Sequence, residues 1–64
     1  MILIRQRVVQ EYSELNMKLG RLKSFIGTAP FLGLSVEHQA LLQKQAEVMG
    51  QYLQLLNRRL IVME

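Results

Sequence analysis

Sixty-four residues, half of them hydrophobic, make one domain at most, and a chain of this size buries only about 60% of its unfolded surface. No residue is cysteine and only His38 is histidine, which excludes disulfides, thiolate metal sites and histidine-rich metal centres, and leaves self-association as the usual remedy for so small a core. The formal charge of +3, from eight Lys/Arg against five Glu, favours anionic partners but falls short of the dense basic stripe of a dedicated DNA binder.

The first predicted element is a helix from about Ile4 to Ile26. Val8, Tyr12, Leu15, Leu19, Leu22 and Ile26 recur at alternating spacings of four and three, which draws one narrow apolar stripe along a helix. Gln10, Glu11, Ser13, Glu14, Lys18, Arg21 and Ser24 cover the other side, and Glu14 is spaced to pair with Lys18 one turn on. Gly20 lies inside this helix at a cost of about 1 kcal/mol relative to Ala.

A connection follows over Gly27 to Ser35, "GTAPFLGLS". Gly27 fits the left-handed position just past a helix end, and Pro30 cannot continue the helix. Phe31, Leu32 and Leu34 are expected to fold back and plug the closed end of a hairpin, with room for one short helical turn around Pro30 to Gly33.

The second helix is predicted from Val36 to about Val62. Ser35 is a good N-cap, and Glu37 stands near the positive end of the helix dipole. Leu42, Ala46, Met49, Leu53, Leu56 and Leu60 repeat the spacing of the first stripe, while Leu41, Val48, Tyr52 and Leu55 widen it beyond what one partner helix covers. A short connection between two helices of nearly equal length forces them antiparallel. The expected pairings are Val8 near Leu53 and Leu56, Leu15 near Ala46, and Leu19 near Leu42. The fold class is therefore all-α: a single domain over residues 1–64, an antiparallel two-helix hairpin assembling into a homo-oligomeric helical bundle. The predicted oligomer interface is Leu41, Val48, Tyr52 and Leu55, since an uncovered apolar stripe of this extent marks an interface. A symmetric dimer is the simplest closure, with higher cyclic assemblies as the alternative.

Catalytic constellations are nearly missing from the sequence. Ser13, Ser24 and Ser35 share a single histidine, and the Ser35–His38 spacing reads as a helix cap. Glu11 and Glu14 read as a solvated face, and Gly27 and Gly33 lack the residues of a phosphate-binding loop. No enzyme, cofactor or metal is expected. The basic residues say more. Arg5 and Arg7 begin the first helix and Arg58 and Arg59 end the second, so an antiparallel hairpin gathers all four at its open end. Arginine forks suit phosphate, and Tyr12 and Tyr52 offer faces on which a base can stack. These six residues form the candidate ligand site. The competing readings are that Arg58 and Arg59 complement the helix dipole and that both tyrosines pack. Gln43, Gln45, Gln51 and Gln54 line the second helix, either as a polar pocket between chains or as solvated surface. The longest apolar run, Met1 to Ile4, is far below a membrane span, and Arg5 and Arg7 follow it, the reverse of a signal peptide. A cytoplasmic protein is expected.

From Lys18 to Leu60, the chain resembles small proteins encoded by tailed phages and prophages. The shared features are Phe25-Ile26, then Phe31 with Leu34-Ser35, then Leu41-Leu42, Gln45, Met49, Tyr52 and a terminal Arg59-Leu60. In size, hairpin architecture and expected assembly it is also similar to the phage sponges that capture cyclic-nucleotide signals of CBASS and Thoeris defence. That likeness carries over no site residue. It implies a non-enzymatic accessory protein, with a counter-defence role in the host cytoplasm, whose oligomer sequesters a small anionic ligand such as a signalling nucleotide. The alternative is a helical inhibitor or adaptor that lays the exposed stripe of the second helix into a groove of a host protein. A weak nucleic-acid binder is least favoured, because glutamates interleave with the basic residues.

Overall fold

A computed structural model describes residues 2–63 of the protein. Three helices follow in order: α1 (Ile2–Ile26), α2 (Ala29–Leu32) and α3 (Val36–Val62), with no strand among the described residues. α1 packs antiparallel against α3, and the single turn α2 packs on α1. The result is a rod of 46 × 14 × 12 Å, long and little more than a helix thick in its other two directions.

The two stripes are the seam. Val8 and Leu19 of α1 and Leu56 of α3 are buried, Leu56 completely. Tyr12, Leu15, Leu22 and Ile26 on one side, and Leu42, Ala46, Met49, Leu53 and Leu60 on the other, are half-buried. Every position of both predicted stripes thus lies at the contact. Two cross-links set the register: the Tyr52 hydroxyl meets the Glu11 carboxylate, and the Arg5 guanidinium meets the Leu60 carbonyl. Val8 is then level with Leu56, Leu15 with Met49 and Leu22 with Leu42. Val8 is level with Leu56 as expected, whereas the register is about one helical turn from the expected pairing of Leu15 with Ala46 and Leu19 with Leu42, since aliphatic stripes of equal spacing fit one another at more than one turn and the Tyr52–Glu11 and Arg5–Leu60 links go with this one.

The ends of α1 and α3 are closed by local hydrogen bonds. The Ser35 hydroxyl accepts from the His38 backbone N–H at 3.0 Å, the expected N-cap, and Glu37 occupies the first turn of α3. At the end of α1 the Gly27 N–H donates to the Ser24 carbonyl at 3.2 Å and the Thr28 N–H to the Phe25 carbonyl at 3.0 Å. The Thr28 hydroxyl donates to that same Phe25 carbonyl at 2.6 Å. No described residue has a positive φ, so Gly27 does not adopt the expected left-handed conformation. The helix tightens into its last turn, Thr28 adopts an extended backbone that breaks it, and α2 follows, where Pro30 sits at the start and forfeits only an N–H that would lack an intrahelical partner.

Of the three apolar residues expected to plug the closed end, one does so fully. Phe31 is buried, edge-on to Phe25 with ring centroids 6.0 Å apart and planes at 88°. Leu34 is half-buried, and Leu32 is 71% exposed. In a helical turn neighbouring side chains diverge by about 100°, so turning Phe31 inward sends Leu32 outward. Gln39 completes the closure. Its side-chain amide donates to the carbonyls of Leu32 at 3.2 Å and Leu34 at 2.9 Å, tying the connection to the first turns of α3.

Ion pairing contributes little. Glu14 accepts from the Gln10 amide at 3.2 Å and does not make the expected pair with Lys18. The one ion pair among the described residues joins Lys44 and Glu47 at 3.7 Å, both well exposed, and exposed pairs of this kind are worth roughly 0–1 kcal/mol.

Because so few side chains are fully enclosed, stability concentrates in them. Leu56→Ala is expected to lower unfolding free energy by about 2–5 kcal/mol, read as the shift in a urea midpoint. Val36→Ala, at an 83% exposed site, is expected to change it by about 0.5 kcal/mol or less.

Candidate functional site

The open end of the hairpin joins the first turns of α1 to the last turns of α3. The last carbonyls of any helix lack intrahelical partners and carry the negative end of the dipole. Arg5 answers both needs from the neighbouring helix. One guanidinium nitrogen donates to the Leu60 carbonyl at 2.9 Å and to the Met63 carbonyl at 3.3 Å. The Met63 N–H in turn donates to the Arg59 carbonyl at 3.0 Å, so the end of α3 is tied from within and from without.

The four candidate arginines are therefore gathered at one end but differ in what they do there. Arg5 caps α3. Arg7, exposed, stands just beyond it in α1. Arg58, with Ile61 and Val62, lines a shallow, open depression of about 170 Å³. Enclosed ligand sites run to roughly 300–1,000 Å³, so this surface offers a rim and not a complete pocket. Leu3 and Ile4 add exposed apolar surface at the same end.

Arg59 lies on another flank of α3, toward Tyr52. The Tyr52 hydroxyl donates to a carboxylate oxygen of Glu11 across the seam. That hydrogen bond raises the phenol above its ordinary pKa, helped by desolvation and by the Glu11 charge, while the positive charge of Arg59 pulls it the other way. Tyr52, Glu11 and Arg59 thus form one polar group on the exposed flank of the hairpin. Tyr12 sits apart from it, half-buried within the α1 stripe.

On the same flank Leu41 is 61% exposed, Val48 50%, Tyr52 41% and Leu55 60%. From Leu41 to Leu55 this line runs roughly 21 Å at 1.5 Å per residue. Glu11 and Gln39 were not singled out by the sequence as site-forming. The position of Glu11 on the α1 flank and level with Tyr52 is the only signal that could have found it, and reading it requires the register. Gln39 has a nearer cue, one turn past an N-cap and facing an apolar connection.

Two outcomes are expected. Arg5→Ala should cost about 0.3–1 kcal/mol by removing the charged donor from the exposed Leu60 and Met63 carbonyls, measured by denaturation. Arg5→Lys should recover part of this, since an ammonium keeps the charge but loses the planar fork. For Tyr52, the folded-state pKa is raised above the ordinary phenol value of 10.0, so its contribution is full below that value and is lost as pH rises through the raised pKa. Unfolding midpoints of the natural protein should fall more steeply above pH 10.0 than those of Tyr52→Phe, and phenolate absorbance should place the titration of Tyr52 higher than that of a free tyrosine.

No curated protein and no solved structure matches the chain. Residues 4–61 match the family described as Sequestin, a span that takes in both long helices, the connection and the arginine-bearing end. With nearly its whole length matched, the chain belongs to the Sequestin family.

Proposed function

We propose that this protein is a non-enzymatic sequestering protein that holds a small anionic ligand, of the class of signalling cyclic nucleotides, at the arginine-bearing ends of a helical assembly. The family match over residues 4–61 carries the reading, because the family is described by a word for sequestration. The resemblance to phage sponges supplies the ligand class, the counter-defence role and the host cytoplasm as the place of action.

Sequestration asks for affinity without turnover, and the open end supplies its ingredients. Exposed Arg7 and Arg58 present forks that meet phosphate oxygens two at a time. Ile61 and Val62 offer an apolar rim for a base or a ribose face beside Arg58. Arg5 contributes indirectly, by fixing the last turn of α3 on which Arg58 stands. A depression of about 170 Å³ covers only part of a nucleotide, so the reading requires a second chain to complete the enclosure.

The test is a thermal-shift and calorimetric screen against mononucleotides, cyclic dinucleotides and ADP-ribose derivatives. A ligand that binds the native state alone raises the midpoint by mass action. With such a ligand in hand, Arg7→Ala combined with Arg58→Ala should weaken binding by roughly a hundredfold or more, as each charged hydrogen bond is worth about 1.5–3 kcal/mol. Ligand released by denaturing the complex should be chemically intact. Unchanged affinity in the folded double variant rules out this end of the hairpin, and recovery of a cleaved ligand rules out simple sequestration.

A further inference from the structure

We infer that the exposed flank shared by α3 and α1 is the contact of an antiparallel homodimer whose two-fold axis crosses α3 at Val48. The first argument is area. The hairpin exposes 5150 Å², whereas a compact chain of 7.4 kDa exposes about 4,200 Å². The excess, on the order of 900 Å², matches the roughly 800 Å² that each partner contributes to a standard stable interface.

The second argument is the order of residues along the flank. Leu41, Val48 and Leu55 follow at intervals of seven. Glu37 stands one turn before Leu41 and Arg59 one turn after Leu55. At about 100° per residue all five fall within about 40° of a single line along α3. The line reads acid, Leu, Val, Leu, base, and Val48 is its midpoint. Turning a second copy by 180° about Val48 sets Leu41 against the partner's Leu55, Val48 against the partner's Val48, and Glu37 against the partner's Arg59. A parallel copy would oppose Glu37 to Glu37 and Arg59 to Arg59. Charge complementarity therefore selects the antiparallel copy.

The third argument comes independently from α1. The links of Tyr52 to Glu11 and of Arg5 to Leu60 set Asn16 level with Val48 to within a residue. Asn16 is the midpoint between Glu14 and Lys18, which fail to pair within the hairpin although their spacing suits it. The same two-fold axis sets Glu14 against the partner's Lys18 and Lys18 against the partner's Glu14. One axis thus matches charge on both helices. It also places the two open ends at opposite ends of the bundle. The arginine clusters stay separate, one at each end, and Arg7 comes level with the partner's Phe25.

The protein has no cysteine, which makes the test direct. Three single-cysteine proteins, Leu41→Cys, Val48→Cys and Leu55→Cys, are treated with a short bis-maleimide, and their masses are measured without any ligand. Val48→Cys is expected to link to itself. Leu41→Cys and Leu55→Cys are each expected to stay unlinked alone and to link when mixed in equal amounts. Self-linking of Leu41→Cys and Leu55→Cys would reveal a parallel dimer and overturn the proposal, as would a natural protein that is monomeric at micromolar concentration. Charge reversal gives the second readout. Glu37→Arg or Arg59→Glu alone should weaken dimerisation about fivefold to tenfold, and the two together should restore it. A double variant no better than either single contradicts the antiparallel pairing. Because no ligand enters these measurements, their failure leaves the sequestering function to be decided by its own titrations on Arg7 and Arg58.

Discussion

Two helices laid side by side share one line of contact, and this geometric limit governs the rest of the molecule. Each helix of the hairpin can offer only about two residues per two turns to its neighbour. Among the described residues, Val8, Leu19 and Leu56 are consequently the ones of the long helices that the seam encloses, with Phe31 added from the connection. The rest of each stripe is half-covered, and the rod, 46 Å long, has no third layer to cover it. Large exposed apolar side chains such as Leu41 and Leu55 are the direct consequence of making a domain from two helices.

A seam so thin cannot fix register by packing alone, because sliding one helix by a turn replaces one aliphatic contact with another of similar worth. The hairpin fixes register with polar links at defined points. Arg5 grips the carbonyls at the end of α3, Tyr52 reaches Glu11, and Gln39 holds the connection against α3. Each link satisfies a group whose need is local, such as a helix-end carbonyl, and each is geometrically selective in a way that Leu against Leu is not. Phe31 against Phe25 seals the other end by the same logic of shape.

This division explains what could be read from the residues in order. The two stripes, the Ser35 cap and the turn at Pro30 depend on spacings of one to four residues, and all of them stand in the structure where they were expected. The register, the capping role of Arg5 and the Tyr52–Glu11 bond join residues 55 and 41 positions apart, so no local pattern reports them. Gly27 and Leu32 show the limit within local reading. Glycine permits a left-handed turn without demanding one, and here hydrogen bonds to Ser24 and Phe25 carry the chain forward instead. Leu32 is apolar like Phe31 and Leu34, yet a single helical turn can turn only one of two neighbours inward. Of the candidate site, the gathering of arginines at one end was legible from the antiparallel topology. Their division of labour was not, because all four carry the same charge and differ only in what stands opposite.

That division bears on the proposed capture of a ligand by so small a chain. A binding surface needs donors held in place, and a long arginine on an unsupported helix end holds nothing still. Arg5 commits one guanidinium nitrogen to the carbonyls of Leu60 and Met63, and thereby steadies the turn from which Arg58 projects. The hairpin can orient charge at its end, but with a depression of only about 170 Å³ it cannot by itself keep water from both sides of a bound phosphate. Exclusion of water is what turns an exposed arginine contact, weak in a high dielectric, into a strong one. The surplus apolar flank and the incomplete pocket are therefore two faces of one shortage of interior. In the proposed dimer, a second chain that covers the flank would also bring a second surface to the end of the rod, so that one assembly would both cover the apolar residues and deepen the site.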